Sequence, residues 1–496
     1  MTLEPAFEAF EQAYRRGVPQ IVRRRVVDDL ETPVSAYLKL GRGRPYAFLF
    51  ESVEGGAWRG RYSILTLKPD LVWRCFGERA EVATGDDVAA DRFTPEPLPT
   101  LDSLRALVDA SKIELPPDLP PPVAGLFGVF GYDLVRLVEP LGAPNPDPLN
   151  LPDAVLARPS VVAVFDAIGQ EIVLATPARP DGREAQAAYA AAAARLDAVD
   201  ADLRAPVPAA PERRQLQQAP FRSPLTEADY AQVVERAKAY IAAGDIFQVV
   251  PSQRFTAPFA LDSFAFYRSL RRMNPSPFLF HLDFGGFQLA GSSPEILVRL
   301  REGRVTIRPI AGTRRRGATP EEDRALEAEL LADPKERAEH LMLLDLGRND
   351  VGRVAEPGSV KVTESFAVER YSHVMHIVSN VEGAARADLD PVDALLAALP
   401  AGTLSGAPKV RAMEIIDELE SVKRGLGYAG GVGYVSAGGA VDACIVLRTA
   451  LFKDGNVHVQ AGGGVVADSD PKAEYEETLH KSQALKRAAE EAWRFA

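Results

Sequence analysis

Cysteine is scarce in this chain of 496 residues, which contains only Cys75 and Cys444. Two cysteines can build neither a disulfide framework nor a cysteine-based zinc site, and such low usage is typical of a reducing compartment. Apolar runs of about 18 residues are absent, so the sequence predicts no membrane-spanning helix. The N-terminal segment 1–17 is charged and lacks the apolar core of a signal peptide. We therefore expect a cytoplasmic protein.

A surplus of basic residues is also lacking. The chain has 57 Lys and Arg residues against 69 Asp and Glu residues, and its net charge at pH 7 is −12. Basic blocks with interleaved aromatic residues do not occur, so nucleic acid is not an expected partner. A content of 46% hydrophobic and 25% charged residues is typical of globular proteins. The length suits two or three domains, or one catalytic unit with a regulatory part.

A proline-rich segment divides the chain. The alanine-rich segment 184–203 is predicted to be a helix, and the segment 204–224 after it has five prolines and little apolar periodicity. We therefore predict that 204–224 is a linker. It would separate a strand-rich N-terminal domain, residues 1–203, from a C-terminal domain, residues 225–496.

Strands and helices follow one another in blocks, without a regular βαβ alternation. The segment 160–176 is predicted to be a hairpin that turns at Gly169. The first helix of the C-terminal part is predicted to begin with a capping box of Thr226 and Asp229 and to end at Gly244. This pattern favours an α+β fold with large, mostly antiparallel sheets flanked by helices over a doubly wound sheet.

Two pairs of glutamates, each three residues apart, are the main chemical signal: Glu336 with Glu339, and Glu474 with Glu477. Residues three apart share a helix face, and two such faces brought together would place four carboxylates around one point. Four carboxylates need a compensating cation, and a hard divalent ion such as Mg²⁺ suits oxygen ligands. The alternatives are two solvated helix faces and, for Glu474, a favourable place in a first helical turn.

Three features have both a binding and a structural interpretation. Arg448 interrupts an apolar strand predicted over 441–452 and needs an anion, which is either a structural ion-pair partner or a substrate carboxylate. The glycines of 462–464 either bind an anion through backbone N–H groups or form a tight strand-to-helix connection. His376, among Val and Ile residues, is either a core residue or a general acid–base.

Three further segments leave the same choice open. Thr403, in the segment 401–409, either belongs to a turn or offers its hydroxyl to a ligand. The segment 307–317 is predicted to end a strand and enter a basic loop whose arginines are solvated unless they bind an anion. Alternation over 245–255 places Gln248 on one face of a predicted half-exposed strand.

Nine segments, in order, resemble the chorismate-utilising enzymes, and most closely the large subunits of anthranilate synthase. They are GDIFQVVPSQRF, NPSPFLF, AGSSPEILV, RPIAGTRRRG, AEHLMLLDLGRNDVGRV, HVMHIVSNVEG, GTLSGAPKVRAMEIID, CIVLRT and AGGGVVADSDPKAEYEET. The resemblance covers nearly the whole chain and is densest over 244–481. It implies a large β-sandwich that holds chorismate between its sheets.

The resemblance also implies which residues bind the metal and the substrate. Mg²⁺ would hold the ring carboxylate of chorismate, with Glu339 and Glu477 as direct ligands and Glu336 and Glu474 in support. The other implied substrate-binding and pocket residues are Arg448, Gly462, Gly463, Gly464, Tyr428, Gly312 and Thr403.

Four positions bear on the implied chemistry. Glu295 matches the general acid for departure of the ring hydroxyl, and His376 matches the histidine beside the ring. Gln248 stands where isochorismate and salicylate synthases carry a lysine that activates water. Ala311 stands where aminodeoxychorismate synthases typically carry a lysine, and alanine cannot act as a nucleophile. Both positions favour ammonia as the nucleophile, with anthranilate and pyruvate as products.

The implied ammonia needs a source. A glutaminase would need a cysteine nucleophile with a partnering histidine, and neither Cys75 nor Cys444 lies in such a context. The resemblance therefore implies a separate glutamine amidotransferase subunit. The alternatives are an aminodeoxychorismate synthase, whose product keeps the enolpyruvyl group, and an inactive regulatory protein that binds tryptophan and an amidotransferase.

The segment 48–63 resembles the tryptophan-feedback segment of the same family. The residues implied to bind tryptophan as an inhibitor are Glu51, Ser52, Pro277, Phe278 and Leu279.

Overall fold

A computed structural model describes residues 2–54, 58–209, 217–371 and 374–496 of the chain. Across these ranges, none of the helices has the length and apolar character needed to cross a membrane. The described α-helices are α1 (Phe7–Arg15), α2 (Pro33–Leu40), α3 (Asp86–Ala89), α4 (Thr100–Ala110), α5 (Ala185–Arg204), α6 (Glu227–Ala243), α7 (Ser263–Met273), α8 (Pro320–Ala332), α9 (Pro334–Gly352), α10 (Pro391–Ala398), α11 (Lys409–Leu419) and α12 (Pro471–Glu491). Short 3-10 helices are formed by Pro121–Val123, Tyr132–Leu137, Gly402–Leu404 and Ala492–Arg494.

The described strands are β1 (Gln20–Val27), β2 (Phe48–Glu51), β3 (Val53–Glu54), β4 (Trp58–Arg59), β5 (Tyr62–Phe76), β6 (Arg79–Thr84), β7 (Thr94–Pro95), β8 (Gly125–Phe130), β9 (Ala154–Asp166), β10 (Glu171–Ala178), β11 (Gln248–Val249), β12 (Ser252–Pro258), β13 (Phe278–Asp283), β14 (Gln288–Ser293), β15 (Ile296–Arg301), β16 (Arg304–Ile307), β17 (Ile310–Arg315), β18 (Lys361–Arg370), β19 (Val374–Ala384), β20 (Gly406–Ala407), β21 (Gly431–Ser436), β22 (Val441–Ile445), β23 (Thr449–Lys453) and β24 (Asn456–Gly462).

Several local elements follow the sequence signals. Thr226 and Asp229 form the predicted capping box, and α6 ends at Gly244, whose φ of 84° is easy only for glycine. β9 and β10 form the predicted hairpin, and α5 occupies the predicted alanine-rich helix. These predictions are confirmed.

The two helices that carry the glutamate pairs each begin at an aspartate. The Asp333 side chain accepts hydrogen bonds from the backbone N–H groups of Lys335 and Glu336 at the start of α9. The Asp470 side chain accepts one from the N–H of Ala473 at the start of α12. These caps satisfy the first N–H groups and fix where each helix starts, which sets the position of the glutamates that follow.

The main sheet is one antiparallel network of 20 described strands with two arms. The long strands β5 and β9 belong to both arms, and their pairing shifts register between Pro69 and Leu71. The first arm has the order β1-β10-β9-β5-β2-β13-β14-β23-β24-β12. The second has the order β7-β6-β5-β9-β8-β21-β22-β15-β16-β19, and β19 also pairs with β17 and β18.

Apolar side chains of the two arms pack against each other. The ring of Phe127 in the second arm lies 6.0 Å from Phe50 in the first and 5.6 Å from its neighbour Tyr434. The outer face of the first arm packs on α1, α2, α5, α7 and α12, and that of the second on α4, α9 and α10. The predicted α+β sandwich of antiparallel sheets flanked by helices is therefore confirmed.

Both parts of the chain contribute to this sheet. β2 pairs with β13, and β8 pairs with β21, so strands from 1–203 and from 225–496 are hydrogen-bonded neighbours. The domain boundaries stay a prediction, and 210–216 of the predicted linker lie outside the described residues.

Two predicted strands are wrong in detail. The strand predicted over 441–452 is split into β22 and β23, because Arg448 between them has a φ of 47°, which is incompatible with an extended ladder. The strand predicted over 245–255 is likewise split into β11 and β12. The segment 307–317 is predicted to end a strand and enter a basic loop, whereas the structure has strand β17 over Ile310–Arg315, so two of its arginines lie in the strand.

Candidate functional site

A cavity of about 610 Å³ gathers residues from the loops after β14 and β22, from β17, β19 and β24, and from α9 and α12. The predicted catalytic, substrate-binding and metal-binding residues that line it are Gln248, Glu295, Gly312, Glu336, Glu339, His376, Thr403, Tyr428, Arg448, Gly462, Gly464, Glu474 and Glu477. Gly463 lies between two lining glycines but does not line the cavity itself. Residues that are far apart in sequence are thus brought to one site.

Glu295 follows β14 and is buried, with 8% of its surface exposed. Its backbone carbonyl accepts a hydrogen bond from the Ile445 N–H, and its Oε1 accepts one from the Thr403 hydroxyl at 3.2 Å. Burial raises the pKa of Glu295 to about 8, although Thr403 and the charge of Arg448 act in the opposite direction. The carboxyl is therefore protonated at neutral pH and can donate a proton into the cavity.

His376 lies on β19, with its Nδ1 2.9 Å from the Gly312 carbonyl oxygen and 3.1 Å from the Thr313 hydroxyl. Because a carbonyl oxygen only accepts hydrogen bonds, Nδ1 carries the proton and Nε2 keeps its lone pair. Burial lowers the pKa of His376, and the nearby charge of Arg448 adds to this effect. The ring is therefore neutral at pH 7 and available as a base.

Gly312 creates a bulge in β17 beside this histidine. Its φ is 68°, and the register between β17 and β19 shifts between Ala311 and Thr313. A Cβ added at Gly312 would lie 3.1 Å from Oε2 of Glu336, so a side chain here would crowd the Glu336 carboxylate. Glycine thus allows the strand to approach the cavity closely.

Arg448 presents a guanidinium to the cavity. Its backbone carbonyl accepts a hydrogen bond from the Ser292 N–H, which anchors the left-handed residue between two strands. In the described ranges, no carboxylate lies within salt-bridge distance of this guanidinium. Burial lowers the pKa of Arg448, while Glu295 and Tyr371 raise it. A desolvated guanidinium without an anion partner is suited to a ligand carboxylate.

The glycine segment forms another part of the wall. A Cβ on Gly462 would lie 2.5 Å from the Pro251 carbonyl oxygen and 2.8 Å from the Tyr428 hydroxyl, and one on Gly464 would lie 2.4 Å from Nε2 of Gln248. The Gly463 N–H donates to the Pro251 carbonyl oxygen at 3.3 Å. Side chains are therefore excluded here, and the amide of Gly463 is already used within the fold.

The four glutamates lie along one wall of the cavity. Arg314 Nη1 binds Oε1 of Glu336 at 2.9 Å, and Lys481 Nζ binds Oε1 of Glu477 at 2.6 Å. Within the described part of the chain, no three His, Cys, Asp or Glu side chains are grouped so that they could hold a metal ion. Arg314 also binds Glu329 and Asp333, so Glu336 and Glu477 are both paired with cations of the chain, and the metal site stays a prediction.

The other two glutamates show how well this wall suits a cation. Oε2 of Glu474 is buried without a hydrogen-bond partner in the described residues, while its Oε1 accepts from the Ser469 hydroxyl at 2.7 Å. Burial, followed by the charge of Glu336, raises the pKa of Glu339, and burial also raises that of Glu474. Carboxylates whose charge is disfavoured, and an oxygen without a donor, fit a divalent cation chemically.

The predicted tryptophan segment lies next to the same sheet arm. Glu51 and Leu279 stand opposite each other in β2 and β13, while Phe278 of β13 stands opposite Ser293 of β14. Ser52 follows β2, and its carbonyl accepts a hydrogen bond from the Gly60 N–H. The pairing of β2 with β13 thus makes the two predicted segments neighbours, and Pro277 comes directly before β13.

Glu51 already has strong partners in this structure. Nε and Nη2 of Arg271 bind its two carboxylate oxygens at 2.7 and 2.9 Å, and the buried Tyr267 hydroxyl donates to Oε2. Neither Arg271 nor Tyr267 was predicted from the sequence. The sequence also did not predict that Arg314 and Lys481 bind the carboxylate wall, although the spacing from Glu477 to Lys481 is that of a helical ion pair.

The chain is similar to known proteins over nearly its whole length. The sequence model described as chorismate binding enzyme matches residues 47–487. Anthranilate synthase component 1 of Cereibacter sphaeroides is 58% identical over 493 residues, which cover 99% of this chain and 98% of that protein. The corresponding protein of Pseudomonas putida is 50% identical and covers 93% of each chain.

A solved structure supports the same relationship. The crystal structure of anthranilate synthase component I from Streptococcus pneumoniae superposes with a TM-score of 0.78 at 38% identity, covering 94% of this chain and 99% of that one. The resemblance found in the sequence is confirmed, and the chain belongs to the family of chorismate-binding enzymes.

Proposed function

We propose that this enzyme converts chorismate and ammonia into anthranilate and pyruvate, as the first step of tryptophan biosynthesis. The observation that carries the proposal is the pairing of a protonated carboxyl with an unpaired guanidinium in one cavity, from Glu295 and Arg448. The similarity to proteins named anthranilate synthase component 1 supports the same reaction.

Substrate binding rests on charge. Chorismate carries two carboxylates, one on the ring and one on the enolpyruvyl ether. The fork of Arg448 suits bidentate binding of one carboxylate, and the bare backbone of Gly462 and Gly464 leaves room for it beside Tyr428. Burial of these groups strengthens the attraction, because water no longer screens the charges.

Amination requires that the ring hydroxyl departs while nitrogen adds to the ring. In our proposal the protonated Glu295 donates its proton to that hydroxyl, which leaves as water, and the carboxyl becomes a carboxylate. The nitrogen, which adds as NH₃ and becomes an ammonium group, then releases one proton, and the carboxylate takes up one proton before the next turnover. Arg448 then lies close enough in the cavity to stabilise the new charge, because its field already lowers the pKa of Glu295. The Thr403 hydroxyl holds the carboxyl in place.

Aromatisation requires loss of a ring proton and cleavage of the ether bond. We propose that the neutral His376 accepts the ring proton at Nε2, since Nδ1 is held by Gly312. The electron pair of the broken C–H bond completes the aromatic ring as the ether bond breaks. The enolpyruvyl group then leaves as enolpyruvate and takes up a proton to become pyruvate.

The choice of nucleophile rests on what the cavity wall contains. Gln248 and Ala311 line it at the two positions where the resemblance would place lysines in the water-using and covalent relatives. An amide does not deprotonate water, and a methyl group cannot form a covalent bond with the substrate. Ammonia needs no such activation, so these residues support amination.

We propose that Mg²⁺ binds at the cavity wall formed by the four glutamates, with Glu339 and Glu477 as ligands and Glu336 and Glu474 in support. The fit rests on the buried Oε2 of Glu474 that lacks a donor and on the raised pKa of Glu339. When bound, the ion would neutralise these carboxylates and hold the ring carboxylate of chorismate.

We further propose a glutamine amidotransferase subunit as the source of ammonia, and tryptophan as a feedback inhibitor. Both cysteines of the chain are buried and burial raises their pKa, so neither offers the reactive thiolate of a glutaminase. Tryptophan would bind beside Glu51 and Leu279, on a strand that neighbours β14 and hence the Glu295 loop.

Product analysis tests the proposed reaction. The purified chain is incubated with chorismate, an ammonium salt and MgCl₂, and we expect anthranilate and pyruvate in equal amounts. Glu477→Gln should lose most of this activity, whereas Glu476→Gln, on the exposed side of the same helix, should retain it. A product that keeps the enolpyruvyl group would instead indicate an aminodeoxychorismate synthase. Absence of any product would indicate an inactive regulatory protein.

A further inference from the structure

A second cavity, of about 340 Å³, lies between the shared strands β5 and β9, the end of β10 and α5, and shares no lining residue with the first. Its charged lining residues are Asp70, Arg158, Arg179, Asp181, Arg183 and Arg195. Four arginines against two aspartates leave a surplus of positive charge in a chain whose net charge is −12. Such a concentration of positive charge is unfavourable unless an anion compensates it.

Each of the two aspartates forms an ion pair with one arginine. Nε of Arg158 binds Asp70 at 2.7 Å, and Nε of Arg183 binds Asp181 at the same distance. Arg179 and Arg195 are left, and neither has a salt-bridge partner in the part of the chain that the structure describes. Two guanidinium groups in one cavity therefore lack a directly bound carboxylate among the described residues, although the charge of Asp70 acts on both from a distance.

Arg179 and Arg195 are held in place by neutral groups. Nη2 of Arg179 donates to the Ser111 carbonyl oxygen at 3.2 Å, whereas its buried Nε has no acceptor among the described residues. Nε of Arg195 donates to the Thr176 hydroxyl at 2.9 Å. Each guanidinium has five N–H donors, so several remain for a ligand.

The electrostatics of the cavity support the same view. Burial, with the charge of Arg158 next in importance, lowers the pKa of Arg179 to about 10. Burial also lowers the pKa of Arg195, to which the charge of Arg183 contributes. Desolvation and like charges thus both act against these cations, and an anion between them would relieve both costs.

We propose that this cavity binds a small doubly charged oxyanion, most simply a phosphate group, between Arg179 and Arg195. Guanidinium groups bind phosphate oxygens through paired N–H donors, and two unpaired guanidinium groups match two negative charges. The volume exceeds that of inorganic phosphate, so the group could belong to free phosphate or to a small phosphate monoester.

Binding at this place would link the shared strands β5 and β9 to β10 and α5 of the first arm. Asp70 and Arg158 lie where the shared strands β5 and β9 shift register, while Arg179 follows β10 and Arg195 lies on α5. An anion held by these elements would stabilise the folded state over the unfolded one by mass action. Thermal stability is therefore a readout that does not depend on catalysis.

The test is a titration of the full-length protein with sodium phosphate at constant ionic strength, followed by calorimetry and by the melting temperature. We expect saturable binding and a rise in melting temperature that sodium chloride does not reproduce. Arg179→Gln and Arg195→Gln should each weaken phosphate binding about tenfold or more, since each removes charge-assisted hydrogen bonds. Arg15→Gln, which removes an exposed arginine on α1, should not change it.

Further variants and a second probe complete the test. If a glutamine variant fails to fold, Arg179→Lys and Arg195→Lys keep the charge but lose the fork, and we expect weakened binding there too. Phenyl phosphate as the probe separates the sources, because a site for monoesters should bind it more tightly than inorganic phosphate. The proposal is wrong if phosphate does not bind saturably. It is also wrong if binding survives in both Arg179 and Arg195 variants, or is abolished only by Arg448→Gln in the first cavity.

Discussion

The Thr403 hydroxyl donates a hydrogen bond to Oε1 of Glu295 across 3.2 Å. Since Glu295 is protonated at neutral pH and Oε1 accepts from Thr403, the acidic proton belongs on Oε2. This hydrogen bond thus holds Oε1 of Glu295 against Thr403 and leaves Oε2 free to contact the substrate. It joins a residue after β14 to the short 3-10 helix Gly402–Leu404, more than 100 positions away.

Activity should depend on the protonation of Glu295. Its pKa of about 8 lies above the ordinary value of 4.5, so the acid form predominates below pH 8 and is lost above it. We predict that kcat with ammonium falls as pH rises through about 8. Glu295→Gln should lower kcat by roughly 100- to 10,000-fold, the usual contribution of a general acid. The measurement is a pH–rate profile of both proteins.

The stability of the two proteins is the control for this prediction. When a carboxyl has a higher pKa in the folded state than in the unfolded state, the free energy of unfolding of the protein falls as pH rises between the two values. For Glu295 this range runs from about 4.5 to about 8. Glu295→Gln removes this cost, so at pH 9 the variant should be at least as stable as the wild type. A variant that is both inactive and unfolded at pH 9 would contradict our account of a buried acid.

The paired N–H donors of the Arg448 guanidinium, and not only its charge, should contribute to substrate binding. Arg448→Lys keeps a cation but removes the paired donors, and we predict a rise in KM for chorismate and a fall in kcat/KM of about 10- to 100-fold. The comparison is Arg301→Lys, which alters an arginine bound to Asp442 away from the cavity and should have little effect. Steady-state kinetics that showed equal effects would exclude a substrate role for Arg448.

The part of the cavity wall formed by Gly462 and Gly464 should not tolerate an added methyl group. Gly462→Ala would place Cβ 2.5 Å from the Pro251 carbonyl oxygen, so the backbone must shift in the cavity wall. We predict a loss of kcat/KM of at least about tenfold, since small displacements of binding groups cost that much. Gly286→Ala makes the same chemical change where nothing lies within 4 Å, and it should leave the kinetics unchanged.

Tryptophan inhibition should depend on the ion pair of Glu51. Glu51→Gln keeps the shape but removes the charge that binds Arg271, and we predict a loss of roughly 2 kcal/mol in the free energy of unfolding, because the pair is only partly buried. The tryptophan concentration that gives half inhibition should rise about tenfold, because β2 would lose its ion pair with Arg271 of α7 beside the proposed tryptophan site. Asp442→Asn breaks the pairs of a similarly buried carboxylate with Arg299 and Arg301, outside the tryptophan segment, and should not alter inhibition.

Local features of the fold could be predicted because their causes are local. The cap at Thr226, the end of α6 at Gly244 and the turn at Gly169 follow from the conformational preferences of a few neighbouring residues. The assignment of the site residues rested on segments that resemble a known family. The structure brings nearly all of these residues to one cavity, although their roles there remain predictions.

Other features depended on contacts between distant segments, which no local pattern specifies. Arg314 and Lys481 hold two of the four glutamates, and Arg271 holds Glu51 across 220 positions. The left-handed backbone of Arg448 also arises from its position between paired strands, since an isolated arginine favours negative φ. These partners decide which carboxylates are free for a ligand.

The entry of nitrogen into chorismate is the central claim, and isotope labelling tests it most directly. The protein is incubated with chorismate, MgCl₂ and ¹⁵N-labelled ammonium in H₂¹⁸O, and the aromatic or cyclic products are analysed by mass spectrometry. We predict anthranilate that carries ¹⁵N and no ¹⁸O-labelled hydroxyl group. A hydroxylated product that carries ¹⁸O, with no ¹⁵N in any product, would contradict the account.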